Sequence, residues 1–152
     1  MLIRPTRATE IKILQNLNDE VFSDNYKYDP DLNMDWAQSE KGREYFAGIL
    51  NNSEAICLIA EEKGKPAGYL AAAPKILDYR LSKYLEIENI GVSPDFRSKG
   101  IGKMLIDECF KIAKKKGFQK VYVNSYYDNA RAVSFYENCG FKRIDLSLEK
   151  KI

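Results

Sequence analysis

Apolar and polar positions follow two rhythms along this chain, and each rhythm specifies a kind of element. Leu2-Ile3-Arg4 opens as a short strand, which Pro5 should stop because it brings no ladder donor. From Glu10 to Phe22 the residues Ile11, Leu14, Leu17, Val21 and Phe22 recur at three- and four-residue steps. They predict a helix with Thr6 or Thr9 as its cap. Ser23 to Asp35 keeps neither period and reads as an irregular loop around Pro30. Asp35 stands where an N-cap belongs, and Trp36, Tyr45, Phe46, Ile49 and Leu50 give a second helix its stripe, ending near Asn51-Asn52.

The rhythm then shortens. Ala55 to Glu61 and Pro66 to Ala73, joined by the turn Glu62-Lys63-Gly64-Lys65, predict an antiparallel hairpin, and Tyr84 to Val92 predicts a fourth strand ended by Ser93-Pro94-Asp95. Ile101, Met104, Leu105, Cys109, Ile112 and Ala113 share one helical face, with Gly117 at the C′ position. Val121-Tyr122-Val123 reads as a fifth strand, Asn129 to Cys139 as a helix closed by Gly140, and Phe141 to Leu148 as a sixth strand.

The fold class expected is α/β (α+β): a mixed, mostly antiparallel twisted sheet flanked by helices. The fourth and fifth strands should run parallel, because a helix of crossover length, Ile101 to Lys116, joins them. With no repeat and no linker, residues 1–152 are expected to form a single domain.

Composition narrows the function classes. Hydrophobic residues at 45% and charged residues at 30% are ordinary for a globular chain. A formal net charge of +2, with lysines and acids interleaved, argues against a nucleic-acid partner. The one dense basic run, Lys114-Lys115-Lys116, closes a helix, where cations favour the macrodipole. No apolar run reaches signal-peptide or membrane-span length, so no membrane partner is expected. Cys57, Cys109 and Cys139 are odd in number and set in apolar stretches, as in a reducing compartment, and a cytoplasmic protein is expected. The sequon Asn51-Asn52-Ser53 would then be accidental. Histidine is absent, which removes the usual neutral-pH proton shuttle and the commonest metal ligand. No metal is expected, and acid–base chemistry falls to carboxylates, tyrosine, lysine or cysteine.

The segment richest in chemistry is Val92-Ser93-Pro94-Asp95-Phe96-Arg97-Ser98-Lys99-Gly100-Ile101-Gly102, a strand end running through a glycine-punctuated turn into a helix. Unpaired N–H groups and the positive end of the macrodipole at such a helix start form an anion cradle. Gly100 and Gly102 would let a phosphate approach the backbone, with Arg97 and Lys99 adding charge. A Walker loop is excluded, since the position five after Gly91 is Phe96. A dinucleotide fingerprint is excluded too, because Leu105 stands where the third glycine belongs. A tight strand-to-helix connection with no ligand is the other reading of the two glycines.

Arg97-x-x-Gly100-x-Gly102 after a Val-x-Pro strand end resembles the acyl-CoA pyrophosphate loop of the GNAT superfamily of N-acetyltransferases. Asn129-x-x-Ala132-x-x-Phe135-Tyr136-Glu137-x-x-Gly140-Phe141 is similar to that family's late helix-and-strand signature. With the element order β-α-α-β-β-β-α-β-α-β, the likeness covers nearly the whole chain. It implies acetyl-CoA as co-substrate and direct attack by a primary amine in a ternary complex. It implies that Arg97, Ser98, Lys99, Gly100, Ile101, Gly102 and Lys103 hold the pyrophosphate. Pantetheine would pair with a splayed strand at Ile90, Gly91 and Val92, where an N–H of Gly91 or Val92 would meet the thioester oxygen.

The amine has an ordinary pKa of about 10 and needs a base. Glu86 matches the family's base position, with Glu88 two residues on and so on the same strand face. Tyr136 would protonate the departing thiolate, and Asn129 would bond the pantetheine arm. From spacing alone Tyr136 reads equally as a core tyrosine, Asn129 as a helix cap and the two glutamates as a solvated face. Asn124 could face the same cleft. Asp24, Asp29, Asp31 and Asp35 among Tyr26, Tyr28 and Trp36 suit a cationic acceptor or form a solvated loop. Family members are often dimers, so a homodimer is a possible assembly. Two other functions remain open: a catalytically silent CoA-binding regulatory module, and a phosphate-binding interaction domain.

Overall fold

A computed structural model describes residues 1–152. The elements are β1 (Leu2–Pro5), α1 (Ile11–Asn25), α2 (Glu40–Asn51), β2 (Ile56–Glu62), β3 (Lys65–Lys75), β4 (Tyr84–Val92), α3 (Ile101–Lys115), β5 (Lys120–Val123) and α4 (Ala130–Asn138). Short 3-10 turns at Ala8–Glu10 and Pro94–Phe96 precede α1 and α3. The strands form one 5-stranded sheet in the order β1-β2-β3-β4-β5. The first three pairings are antiparallel and β4–β5 is parallel, as the crossover helix requires.

Both faces of the sheet are covered. Leu58, Leu70, Leu85 and Ile87 meet Ile101, Leu105, Ile106 and Cys109 of α3 on one side. Ile59, Tyr69 and Ala71 meet Leu14 and Leu17 of α1 and Phe46 and Ile49 of α2 on the other. Two-sided burial explains why β3 is a continuous apolar run from Ala67 to Ala73 rather than an alternating one. Arg4 anchors the edge of this assembly, donating to Glu10 at 2.7 Å and lying 2.8 Å from Glu61. No helix is long and apolar enough to cross a membrane.

Neither Thr6 nor Thr9 caps α1, which starts at Ile11 with no side-chain cap, and three further expectations need correction. Pro5 lies inside β1, opposite Leu58; on an edge strand its missing donor costs nothing. The second helix starts at Glu40, capped by the Ser39 hydroxyl, which accepts from the Gly42 N–H at 3.2 Å. Residues 36–39 form turns instead. Trp36 stacks on Phe22 at 5.7 Å, and the buried Gln15 amide donates to the carbonyls of Ala37 and Ser39. Those carbonyls are thereby held by α1, and Asp35 is left in the turn region.

The third correction concerns the sixth strand. Phe141 to Leu148 forms no strand, and no backbone hydrogen bond involves residues 142–152. Only Phe141 is tied down, through its N–H to the Tyr136 carbonyl at 3.1 Å and its ring against Phe110 and Tyr136. Arg143 then bonds Glu137 of α4 at 2.7 Å, which holds the chain beside its own helix. The alternating pattern is real, but the segment makes no backbone bond to the free edge of β5.

Candidate active site

The sheet splits between β4 and β5. The parallel ladder runs only from Tyr84↔Lys120 to Ile87↔Val123, and β4 continues without β5 through Glu88, Asn89, Ile90, Gly91 and Val92. The split starts at a bulge. Ala71 of β3 faces Asn89 and Ala72 faces Ile87, so Glu88 has no partner. That extra residue also shifts the strand's parity. Leu85 and Ile87 face α3, and so do Ile90 and Val92, one residue out of strict alternation. Gly91 faces α1: a Cβ there would lie 2.5 Å from Val21 Cγ2 and 3.1 Å from the Tyr69 ring.

A cleft of about 2100 Å³ opens at the split. Glu86, Glu88, Ile90, Gly91, Val92, Arg97, Ser98, Gly100, Ile101, Gly102, Lys103, Asn129 and Tyr136 all line it; of the residues expected to act on or hold acetyl-CoA, Lys99 alone does not, and of the acceptor candidates Tyr26, Asp31, Asp35 and Trp36 do not. One wall is the start of α3. The N–H groups of Ser98, Lys99, Gly100, Ile101, Gly102 and Lys103 have no acceptor within the protein. Gly100 caps the helix in the left-handed region with φ of 77°, a conformation that glycine adopts without strain. Gly102 serves packing: a Cβ there would sit 3.0 Å from the Phe135 ring of α4.

The loop's cations are already matched. Arg97 donates to the Val92 carbonyl at 3.0 Å and pairs with Asp24, which ties the loop to β4 and α1. Lys99 lies 3.4 Å from Glu62 and Lys103 2.6 Å from Asp107. Anion attraction here comes from main-chain amides and the helix dipole more than from free side-chain charge.

The two glutamates have different surroundings. Glu86 is paired with Lys75 at 3.0 Å, and the same ammonium lies 4.5 Å from the centre of the Tyr122 ring. The carboxylate beside it holds Lys75 above the ordinary lysine range. Glu88, exposed at the bulge, accepts from the Tyr45 hydroxyl at 2.7 Å. That hydroxyl accepts from Asn89 Nδ2 at 2.9 Å, and Asn18 Nδ2 reaches Asn89 Oδ1 at 3.1 Å and Tyr69 Oη at 2.8 Å. Burial is the main reason that the phenols of Tyr45 and Tyr69 titrate well above the usual range. Asn18 is fully buried and its Oδ1 has no partner.

Sequence reasoning missed this network. Its one legible sign was Asn18, a polar residue at a core position between Leu17 and Val21 on an apolar helix face. The helical stripe accounts for Tyr45 as a packing residue, and its ring does pack on Phe46 and Trp36.

Tyr136 packs between Phe135 and Phe141, and burial pushes its phenol up to about 12. The phenol makes no hydrogen bond to the protein, and Tyr136 is among the residues that line the cleft. Asn129 caps α4, accepting from the Ala132 N–H at 3.1 Å. The aspartates expected to greet a cation are partly used: Asp24 holds Arg97, and Asp29 accepts from Tyr126 at 2.9 Å, while Asp31 and Asp35 are exposed.

Comparison with known proteins bears on the family and the fold. The model of the acetyltransferase (GNAT) family matches residues 14–141. The uncharacterized N-acetyltransferase MJ1207 of Methanocaldococcus jannaschii is 35% identical over 101 residues, 66% of this chain, and the match spans less than half of that relative, 45%. The uncharacterized N-acetyltransferase YhfO of Bacillus subtilis is 28% identical over 70% of this chain and 72% of its own length. Among solved structures, a mutant of the BH1408 protein of Bacillus halodurans superposes with a TM-score of 0.87 at 18% identity, covering 100% of this chain and 99% of the other. The aminoglycoside N-acetyltransferase AAC(6')-Iy, solved in complex with CoA, gives 0.76 at 19% identity over 99% of this chain and 93% of its own. At such identities the superpositions speak for the fold, and the family match across most of the length speaks for kinship: this chain belongs to the GNAT family of acetyltransferases.

Proposed function

We propose that this chain is an acetyl-CoA-dependent N-acetyltransferase acting on a primary amine, with both substrates bound together. The observation that carries the reading is the row of six unengaged amides from Ser98 to Lys103, set at a helix start beside the open edge of β4. A diphosphate would find donors there, and an extended pantetheine arm would find free backbone groups along Ile90, Gly91 and Val92. Acetyl-CoA supplies the activated carbonyl carbon.

The chain's own residues supply binding and proton transfer. What supports Glu88 over Glu86 as the base is charge: Lys75 already neutralises Glu86, whereas Glu88 is held only by the neutral Tyr45 hydroxyl. A primary amine must lose a proton before attack, and an exposed carboxylate can take it directly or through water. Tyr136 stays protonated at neutral pH because burial raises it, so it can return a proton to the leaving sulfur. An N–H of Gly91 or Val92 would stabilise charge on the carbonyl oxygen.

Solved neighbours include aminoglycoside N-acetyltransferases, one of them in complex with sisomicin, so polycationic aminosugars belong in the acceptor panel beside polyamines and peptide amines. The test follows thiol release from acetyl-CoA across that panel, with CoA affinity measured in parallel by calorimetry. Turnover with at least one amine supports the reading, and absence of CoA binding overturns it. Binding without turnover would favour a silent CoA-binding regulatory module, a reading that draws on the engaged state of Glu86.

A further inference from the structure

At the start of β4 two cations converge on one buried phenol. Arg80 sits in the loop between β3 and β4, in a turn closed by its N–H to the Leu77 carbonyl at 2.9 Å. It donates through Nη1 to the Tyr84 hydroxyl at 2.8 Å, and its guanidinium lies 5.6 Å from the centre of the Tyr84 ring. Lys120, directly opposite Tyr84 in the parallel ladder, holds its ammonium 5.7 Å from the same ring. Neither cation forms an ion pair with an acid of this chain. Arg80 above all, and Lys120 after it, draw the Tyr84 phenol below its ordinary value. Donors are left over: the proton of Tyr84 has no acceptor, and the guanidinium and ammonium have further N–H groups without one.

Arg80, Tyr84 and Lys120 line the same cleft as Glu86 and Glu88. Leu85 and Ile87 face α3, so Tyr84, Glu86 and Glu88 point to the other side of β4 together. At the ordinary strand rise Tyr84 stands about 7 Å from Glu86 and about 13 Å from Glu88 along the strand. One side of one strand thus presents cations at its start and carboxylates further on.

We propose that Arg80, Tyr84 and Lys120 form a carboxylate-binding subsite for the acceptor, which then carries a free carboxylate as well as its primary amine. The subsite deepens the acetyltransferase reading and rests on it. The planar fork of Arg80 suits a carboxylate, with the Tyr84 hydroxyl and the Lys120 ammonium as further donors. Spacing sets the kind of molecule. An α-amino acid whose own amine adjoins its carboxylate is too short to bridge the two ends. The side-chain amine of lysine with a free α-carboxylate, or the N-terminus of a short peptide, has the reach. Its ammonium would lie toward Glu86 and Glu88 before deprotonation, and its carboxylate toward Arg80 and Lys120.

The test is calorimetry in the presence of CoA, which carries no acetyl group to transfer, with Nα-acetyl-lysine and Nα-acetyl-lysinamide as probes. These differ only in the charge at the carboxyl end. The acid is expected to bind about tenfold more tightly than the amide. Arg80→Gln and Lys120→Gln should each reduce that preference and the double variant should abolish it, with CoA affinity unchanged in all three. Both side chains are exposed, so these variants leave the core intact. Equal affinity for acid and amide, no binding of either, or a preference that survives in the double variant overturns the subsite. Turnover with acetyl-CoA distinguishes the two readings. If the acid is preferred and the variants lose that preference, yet no amine is acetylated, the catalytic reading fails and the subsite stands.

Discussion

The Tyr45 hydroxyl donates a 2.7 Å hydrogen bond to Oε1 of Glu88, joining α2 to the bulge in β4. Removing it with Tyr45→Phe leaves the Asn89 amide without its acceptor and lets the Glu88 side chain turn freely. The expected cost is about 1–2 kcal/mol of stability, measured by urea denaturation. If Glu88 is the base, turnover should also fall several-fold while CoA affinity holds. Glu88→Gln should fall further than Glu86→Gln, and the reverse order would reassign the base.

Tyr136→Phe is expected to lower turnover about 100-fold with CoA binding unchanged, as for loss of a proton donor. Burial raises this phenol from 10 to about 12, so it keeps its proton through the alkaline range. The rate should therefore climb as the amine deprotonates, with no fall due to Tyr136 below about pH 11. A rate that declines above pH 9 in wild type but not in the variant would contradict this assignment.

Gly91→Ala pushes a methyl group to 2.5 Å from Val21 Cγ2 and 3.1 Å from Tyr69. We expect a loss of about 1–3 kcal/mol from overpacking between β4 and α1. Adding Val21→Ala should restore part of it, and thermal denaturation of the single and double variants measures the coupling.

Glu10 accepts hydrogen bonds from Arg4 and from the Arg7 N–H, and the Arg4 bond above all lowers its carboxyl from 4.5 to about 2. A depressed folded-state value contributes stability above the unfolded value and loses it as pH falls. Stability should thus decline between about pH 4.5 and 2, by on the order of 1 kcal/mol from this group after solvent screening. Glu10→Gln should flatten that part of the acid denaturation curve.

The sheet, its crossover helix and the turn before α3 were legible because each rests on local signals: a two- or 3.6-residue period, the glycines at Gly100 and Gly102, and a helix long enough to force parallel pairing. What escaped was set by distant residues. The Glu88 bulge shows in β4 only as a slip in the apolar alternation, from Leu85 and Ile87 to Ile90 and Val92, and its position is fixed by which β3 residue each position faces. The late start of α2 depends on Gln15, more than twenty positions earlier. Arg97 reads as a phosphate ligand until Asp24 is seen beside it. Asn89 gained meaning only once Asn18 and Tyr45 were brought to it. Phe141 to Leu148 carries a strand pattern but forms no strand, because Phe141 is locked against Phe110 and Tyr136 and Arg143 is bonded to Glu137 of α4.

The unengaged amides between Ser98 and Lys103 have a consequence for how this protein tolerates change. Every residue except proline carries the same N–H, so side chains along that turn can drift while its donors persist. Alanine scanning there should look deceptively quiet. Proline, or a bulky replacement at Gly100, would be the substitutions that silence it.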